Sequence, residues 1–229
     1  MVDPGDAAPV QAFLASERLD LCAILATHHH PDHVGGIAAL VARRHVPVFG
    51  PKKEPIAAVT VSVAEGDAVT IPELDASFRV LDIPGHTRAH IAYYRPGVLF
   101  CGDTLFACGC GRLFEGTPQQ MYDSLQKLAA LPDDTRVYCG HEYTLANIRF
   151  ARAVEPQNAA LEEREARDGA LRAAGQPTLP STLAAERATN PFLRCRESAV
   201  AAAASTRSGT PLGDPVQVFA AIREWKNRF

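Results

Sequence analysis

No apolar run in this 229-residue chain approaches the roughly 20 residues a membrane-crossing helix needs; residues 21–26 and 199–204 are among the longest, at six each. Nor does one sign of charge dominate. Twenty-three basic against 26 acidic side chains leave a formal net charge of −3, so no overall field draws the chain onto nucleic acid or an anionic membrane. An anionic ligand must therefore be held by a local cluster of cations. No internal repeat is present, and no basic start with an apolar stretch precedes the six cysteines, Cys22, Cys101, Cys108, Cys110, Cys139 and Cys195. None of them forms the C-x-x-C pair of redox or zinc-ribbon sites, and Cys108-Gly109-Cys110 reads as structural thiols. Reduced cysteines in the cytoplasm are expected, with the mitochondrial matrix also open. With 47% hydrophobic and 21% charged residues and a mean hydropathy of −0.06, the composition is globular and excludes disorder.

What the chain does have is an alternation of short apolar segments and turn signals. Residues 21–26 read as a buried strand that ends at Thr27-His28-His29-His30, where Pro31 suits a first helical turn and Ile37, Leu40 and Val41 carry helical spacing up to Arg43-Arg44. The histidines thus sit where a strand hands over to a helix. Residues 46–49, 59–63, 68–71 and 78–83 are further strand candidates, and 91–94 with 98–101 form a hairpin across Arg95-Pro96-Gly97. Thr117-Pro118-Gln119-Gln120 combines an N-cap, a first-turn proline and a capping-box glutamine ahead of Met121, Leu125 and Leu128. Residues 135–139 give one more strand. From about Tyr143 strand signals vanish, and helices are expected over 158–174, 196–206 and from the Asp214-Pro215 cap to Trp225. The pattern predicts a mixed sandwich over 1–143 and a helical domain over 144–229.

His28 and His30 point the same way on an extended segment, and Asp32 and His33 follow at once. Adjacent Asp32 and His33 wrap poorly around an ion gripped by His28 and His30, so the spacing favours two ions side by side. The further donors come in one format: Gly85-His86, Gly102-Asp103 and Gly140-His141 each place a glycine before a ligand at a strand exit. His29 falls on the opposite side, orienting or exposed. His45 is undecided, and His90 is either a hydrogen bonder to a ligand or a satisfied core histidine.

Thr27-His28-His29-His30-Pro31-Asp32-His33 resembles the THxHxDH signature of the metallo-β-lactamase superfamily. Within it, Gly102-Asp103-Thr104-Leu105-Phe106, Gly109-Cys110-Gly111-Arg112-Leu113-Phe114-Glu115-Gly116, Gly140-His141-Glu142-Tyr143-Thr144 and Asn190-Pro191-Phe192-Leu193-Arg194 resemble the glyoxalase II (hydroxyacylglutathione hydrolase) family from Val2 to Phe229. The resemblance implies an α+β fold, a metallo-β-lactamase-type αββα sandwich lacking its first strands here, with a C-terminal helical domain that binds glutathione. It further implies one ion on His28, His30 and His86, a second on Asp32, His33 and His141, and Asp103 bridging them. Arg112, Tyr143, Arg223 and Lys226 match the glutathione contacts. On spacing alone, Arg223 and Lys226 share one face of the last helix and read first as a complement to its C-terminal dipole; the resemblance turns that reading toward carboxylate binding. Phe114 stands where some members have tyrosine, Asn227 where aspartate is frequent, and Ala89 replaces a usual glycine.

Such a centre, with five neutral imidazoles, two carboxylates and one hydroxide around two divalent ions, keeps a net positive charge. Its water, with a pKa lowered to about 7, supplies hydroxide near neutrality, and a thioester is a suitable target because a leaving thiolate of parent pKa near 8.5 needs little acid help. Asp32 and Asp103 are expected to orient that nucleophile rather than attack. The expected activity is hydrolysis of S-(2-hydroxyacyl)glutathione, chiefly S-lactoylglutathione, in methylglyoxal detoxification. Zinc is the first expectation for both ions, with iron or manganese also admitted by the donor set. A small-molecule substrate and a monomer are expected, with no nucleic-acid or membrane partner. The alternatives are a mononuclear-iron glutathione persulfide dioxygenase and an inactive, truncated metal-binding paralogue.

Overall fold

The computed structural model describes residues 1–42 and 45–229. The chain divides into two compact units, one formed by residues 1–82, 89–95 and 99–102, the other by 83–88, 96–98 and 103–229.

The first unit opens with α1 (Ala7–Glu17), capped by the Asp6 carboxylate on the Ala8 amide, and continues with β1 (Ile24–Leu25), α2 (Pro31–Val34) and α3 (Ile37–Val41). The single helix expected from Pro31 is therefore two. The break falls at Gly35-Gly36, where a Cβ on Gly36 would lie 2.6 Å from the Ala7 nitrogen and 2.7 Å from the Pro4 carbonyl oxygen. The expected end at Arg43-Arg44 lies outside the described residues. Strands β2 (Val48–Pro51) and β3 (Val61–Val63) complete a parallel sheet of order β1-β2-β3, with Ile24 opposite Val48 and Phe49 opposite Val61. Ala7, Leu14, Ile24, Ile37, Leu40 and Val48 pack into its core. Each fully buried aliphatic there contributes about 1.5–3 kcal/mol. Antiparallel strands β4 (Ala68–Ile71), β5 (Ala76–Asp82) and β6 (Ile91–Arg95) follow, with β7 (Val98–Gly102) beside β6. The Tyr93 hydroxyl donates to the Ala26 carbonyl (3.0 Å), pinning the exit of β1; burial raises its pKa well above the ordinary phenol value, which keeps that donor protonated.

In the second unit, β8 (Leu105–Phe106) and β9 (Gly109–Cys110) form a short hairpin. The helix α4 (Pro118–Ala129) begins at the expected capping box: Thr117 accepts from the Gln120 amide, and Gln120 accepts from the Thr117 amide. Strand β10 (Arg136–Cys139) leads to the helices α5 (Thr144–Val154) and α6 (Ala159–Ala173). Next comes β11 (Ser181–Thr182), a strand in the region where only helices were expected, antiparallel to β10. The chain ends with α7 (Leu183–Thr189), α8 (Ser198–Ser208) and α9 (Pro215–Asn227). None of the six cysteines is in a disulfide. Among the described residues, no helix is long and apolar enough to cross a membrane.

Candidate metal centre and cationic pair

The candidate ligands fall into a group carried by each unit. In the first, buried Thr27 follows the end of β1 and the turn Thr27-His30 feeds the proline-started α2. Nε2 of His28 lies 3.1 Å from Nδ1 of His30. Two imidazole nitrogens bound to one tetrahedral ion at about 2.0–2.1 Å are themselves about 3.3 Å apart, so this spacing suits a shared cation. The His33 ring centroid is 4.1 Å from that of His28, and the exposed Asp32 carboxylate is 3.9 Å from His33 Nε2. Asp3, His28 and His33 each offer a ligand atom within 4.8 Å of the others.

The surroundings of these rings fix which nitrogen faces inward. Asp3 accepts from the Thr27 amide (2.8 Å) and hydroxyl (2.7 Å), and the same Oδ2 lies 3.0 Å from His33 Nδ1. That contact directs His33 Nε2 toward an ion, as carboxylate partners of metal-binding histidines do. His90 is fully buried and stacked on His28, with centroids 4.5 Å apart and planes at 20°. Gly102, at φ +46°, leaves the room this needs: a Cβ there would meet Thr27 Oγ1 at 2.3 Å and the His90 ring at 2.7 Å. His29 is half-buried and turns to Glu54 instead, its Nδ1 2.8 Å from Oε2, while His45 is exposed.

In the second unit, one oxygen serves two imidazoles: Asp103 Oδ2 lies 3.6 Å from His86 Nε2 and 3.5 Å from His141 Nε2. The His86 Nδ1 lies 2.9 Å from the Arg112 carbonyl oxygen, which selects Nε2 as the donor atom. The loop that supplies this carbonyl is pinned along its length, Phe114 N donating to His86 O and Gly116 N to Gly85 O, both at 3.2 Å. It presents the exposed Phe114 ring edge-on to His86 at 5.3 Å. Tyr143, half-exposed, stacks on His141 at 5.0 Å and 19°. Arg112 is exposed, so its guanidinium is available to a ligand while its carbonyl holds His86.

The cationic pair is in the same unit. Arg223 is buried on α9; its Nη1 donates to the Cys110 carbonyl at 2.9 Å, and Nε has no hydrogen-bond partner among the described residues. Lys226 donates to the Asn147 side-chain oxygen. Both cations lie over the Phe192 ring, at 5.1 and 5.8 Å. Burial, then the neighbouring Arg223 charge, lowers Lys226 from 10.5 to about 8. A pair of poorly solvated cations is a receptor for carboxylates. Two side-chain amides hold the β8-β9 hairpin: Asn147 Nδ2 donates to Ala107 O (2.8 Å), and Asn190 Nδ2 to Gly109 O (2.9 Å).

Sequence reasoning missed Asp3 and Glu54 as partners of the histidine turn. Asp3 lies at the start of the stretch, Val2 to Phe229, that carries the family resemblance, whereas nothing local marks Glu54.

The family model described as Metallo-beta-lactamase superfamily matches residues 1–141, and Hydroxyacylglutathione hydrolase C-terminus matches residues 142–229. A protein named hydroxyacylglutathione hydrolase from Nitrosomonas europaea is 58% identical over 229 residues, which are 100% of this chain and 87% of that protein. Among solved structures, the BLEG-1 B3 metallo-beta-lactamase superposes with a TM-score of 0.62 at 26% identity, covering 83% of this chain and 86% of its own. ETHE1 from Myxococcus xanthus gives 0.62 at 27%, covering 98% and 85%. The chain thus has the metallo-β-lactamase fold with a C-terminal helical region, and its histidine and aspartate clusters suit metal binding.

Proposed function

The chain belongs to the hydroxyacylglutathione hydrolase family of the metallo-β-lactamase superfamily, and from that premise we propose the chemistry that its side chains perform. It is a metal-dependent hydrolase that cleaves S-(2-hydroxyacyl)glutathione thioesters, S-lactoylglutathione foremost, to a 2-hydroxy acid and glutathione. The observation that carries the reading is the single Asp103 oxygen within 3.6 Å of two imidazole nitrogens, that of His86 turned inward by the Arg112 carbonyl.

His28, His30 and His86 would hold one divalent ion, Asp32, His33 and His141 the other, and Asp103 would contact both. When bound, such ions polarise a carbonyl and acidify water. Nitrogen and carboxylate donors fit zinc, with iron and manganese sharing the same preference. Asp103 and Asp32 orient the attacking water. Water gives up a proton to solvent as its oxygen bonds to the acyl carbon, the carbon–sulfur bond breaks, and the thiolate leaves without a dedicated acid because its parent thiol ionises near 8.5. Arg223 and Lys226 receive the carboxylates of glutathione, with Arg112 and Tyr143 beside them. Residues 144–229 form the glutathione-binding helical part, and the enzyme acts as a cytoplasmic monomer. The persulfide dioxygenase reading is not favoured, since residues 142–229 match the hydrolase family's own C-terminal region.

Elemental analysis together with hydrolysis of S-lactoylglutathione tests the proposal. Asp103→Ala should lower metal content and turnover together; unchanged stoichiometry in that variant contradicts the bridging role. Oxygen uptake with glutathione persulfide and no thioester cleavage would overturn the hydrolase assignment.

A further inference from the structure

We infer that Glu54 is a positioning residue for the metal-binding turn, its carboxylate bracing the two backbone segments that carry the stacked rings of His28 and His90. The inference rests on the ligand assignment proposed above. Glu54 follows β2, in a turn fixed by its own amide on Pro51 O (3.3 Å) and its carbonyl accepting from the Ile56 amide (3.1 Å). Its side chain is 4% exposed, an unusual place for a carboxylate unless hydrogen bonds replace its water.

Those bonds go to two places far apart in the chain. Oε2 accepts from the His29 amide at 2.8 Å and also lies 2.8 Å from His29 Nδ1, while Oε1 accepts from the Ala89 amide at 3.2 Å. His29 is flanked by His28 and His30, whose facing nitrogens are 3.1 Å apart. Ala89 precedes His90, whose ring packs flat on His28. One carboxylate therefore holds the peptide between two proposed ligands and the backbone beneath the ring that buttresses one of them. Without it, the His29 peptide plane can rotate and spread the two nitrogens, which weakens their grip on a shared cation. A merely structural brace would lower the stability of the metal-free protein and leave metal affinity alone.

The test compares wild type, Glu54→Ala, Glu54→Gln and His28→Ala in the full chain. It measures zinc affinity by chelator competition, thermal unfolding of the metal-free protein, and kinetics on S-lactoylglutathione at saturating zinc. Glu54→Ala should weaken zinc binding by about 10–100-fold, the usual effect of losing a residue behind a ligand, with KM unchanged. Glu54→Gln, which keeps one acceptor oxygen but opposes a second donor, should fall between. Zinc affinity within about threefold of wild type in Glu54→Ala, or in a folded Glu54→Gln if alanine does not fold, overturns the inference. His28→Ala separates the two levels: if it loses zinc while the Glu54 variants do not, only the positioning role falls. If it keeps zinc, the ligand assignment falls as well.

Discussion

Replacing Glu186 by alanine should cost about 3–5 kcal/mol of stability, because it strips a buried carboxylate from every donor that surrounds it. Glu186 is fully buried on α7. One oxygen accepts from Arg164 Nη2 (2.7 Å) and Ser181 Oγ (2.5 Å), the other from the Cys108 amide (2.7 Å) and Asn190 Nδ2 (3.1 Å). After truncation Arg164, only 2% exposed, keeps Asp168 at 3.2 Å, so its charge is not wholly abandoned and the ion-pair loss falls toward the low end. The Cys108 amide also loses its partner, and the ~1–3 kcal/mol cost of a buried orphan donor is part of that total of about 3–5 kcal/mol. Cys108 also sits at φ +58°, a conformation a non-glycine residue holds only when its surroundings impose it. At about 2–4 °C per kcal/mol for a chain of this size, the melting temperature should drop by about 6–20 °C. Trp225 on α9 is the only tryptophan, so its fluorescence follows unfolding of this unit in urea or on heating. A loss below about 1 kcal/mol would refute the view that Glu186 ties the helices to the β8-β9 hairpin.

Two further outcomes follow from the cationic pair. Arg223→Ala with Lys226→Ala should raise KM strongly for glutathione thioesters while sparing a thioester without glutathione; equal losses on both would reject the assignment. Lys226 should also make binding pH-dependent. Its folded-state pKa of about 8 lies below the ordinary 10.5, set by burial first and then by Arg223, with Cys110, Cys108 and Arg112 also facing it. Between those values the unfolded chain binds the proton more tightly, so stability rises with pH across that window. The carboxylate-binding charge is lost over the same range, so KM should climb above about pH 8. Lys226→Arg, which stays protonated, should flatten the profile, and a flat wild-type profile would refute the role.

The sequence by itself determined the donors and the punctuation. His28, His30, Asp32 and His33 are adjacent, and the capping box at Thr117 and the Asp214 cap are local signals, each complete within one helical turn. Helix α1 escaped notice because only Ala7 and Leu14 of its residues are buried, too few to print an apolar stripe. The tertiary structure decided what depends on partners far along the chain. It split the helix after His30 where Gly36 touches the backbone of Pro4 and Ala7, and added β11 as a two-residue strand too short to show alternation. It also brought Asp3, Glu54 and His90 around the histidine turn, and set Asp103 against His86 and His141. Residue type fixes which atoms are able to bind a cation. Only the folded backbone sets their spacing and, through each ring's second hydrogen bond, which nitrogen is left to bind it.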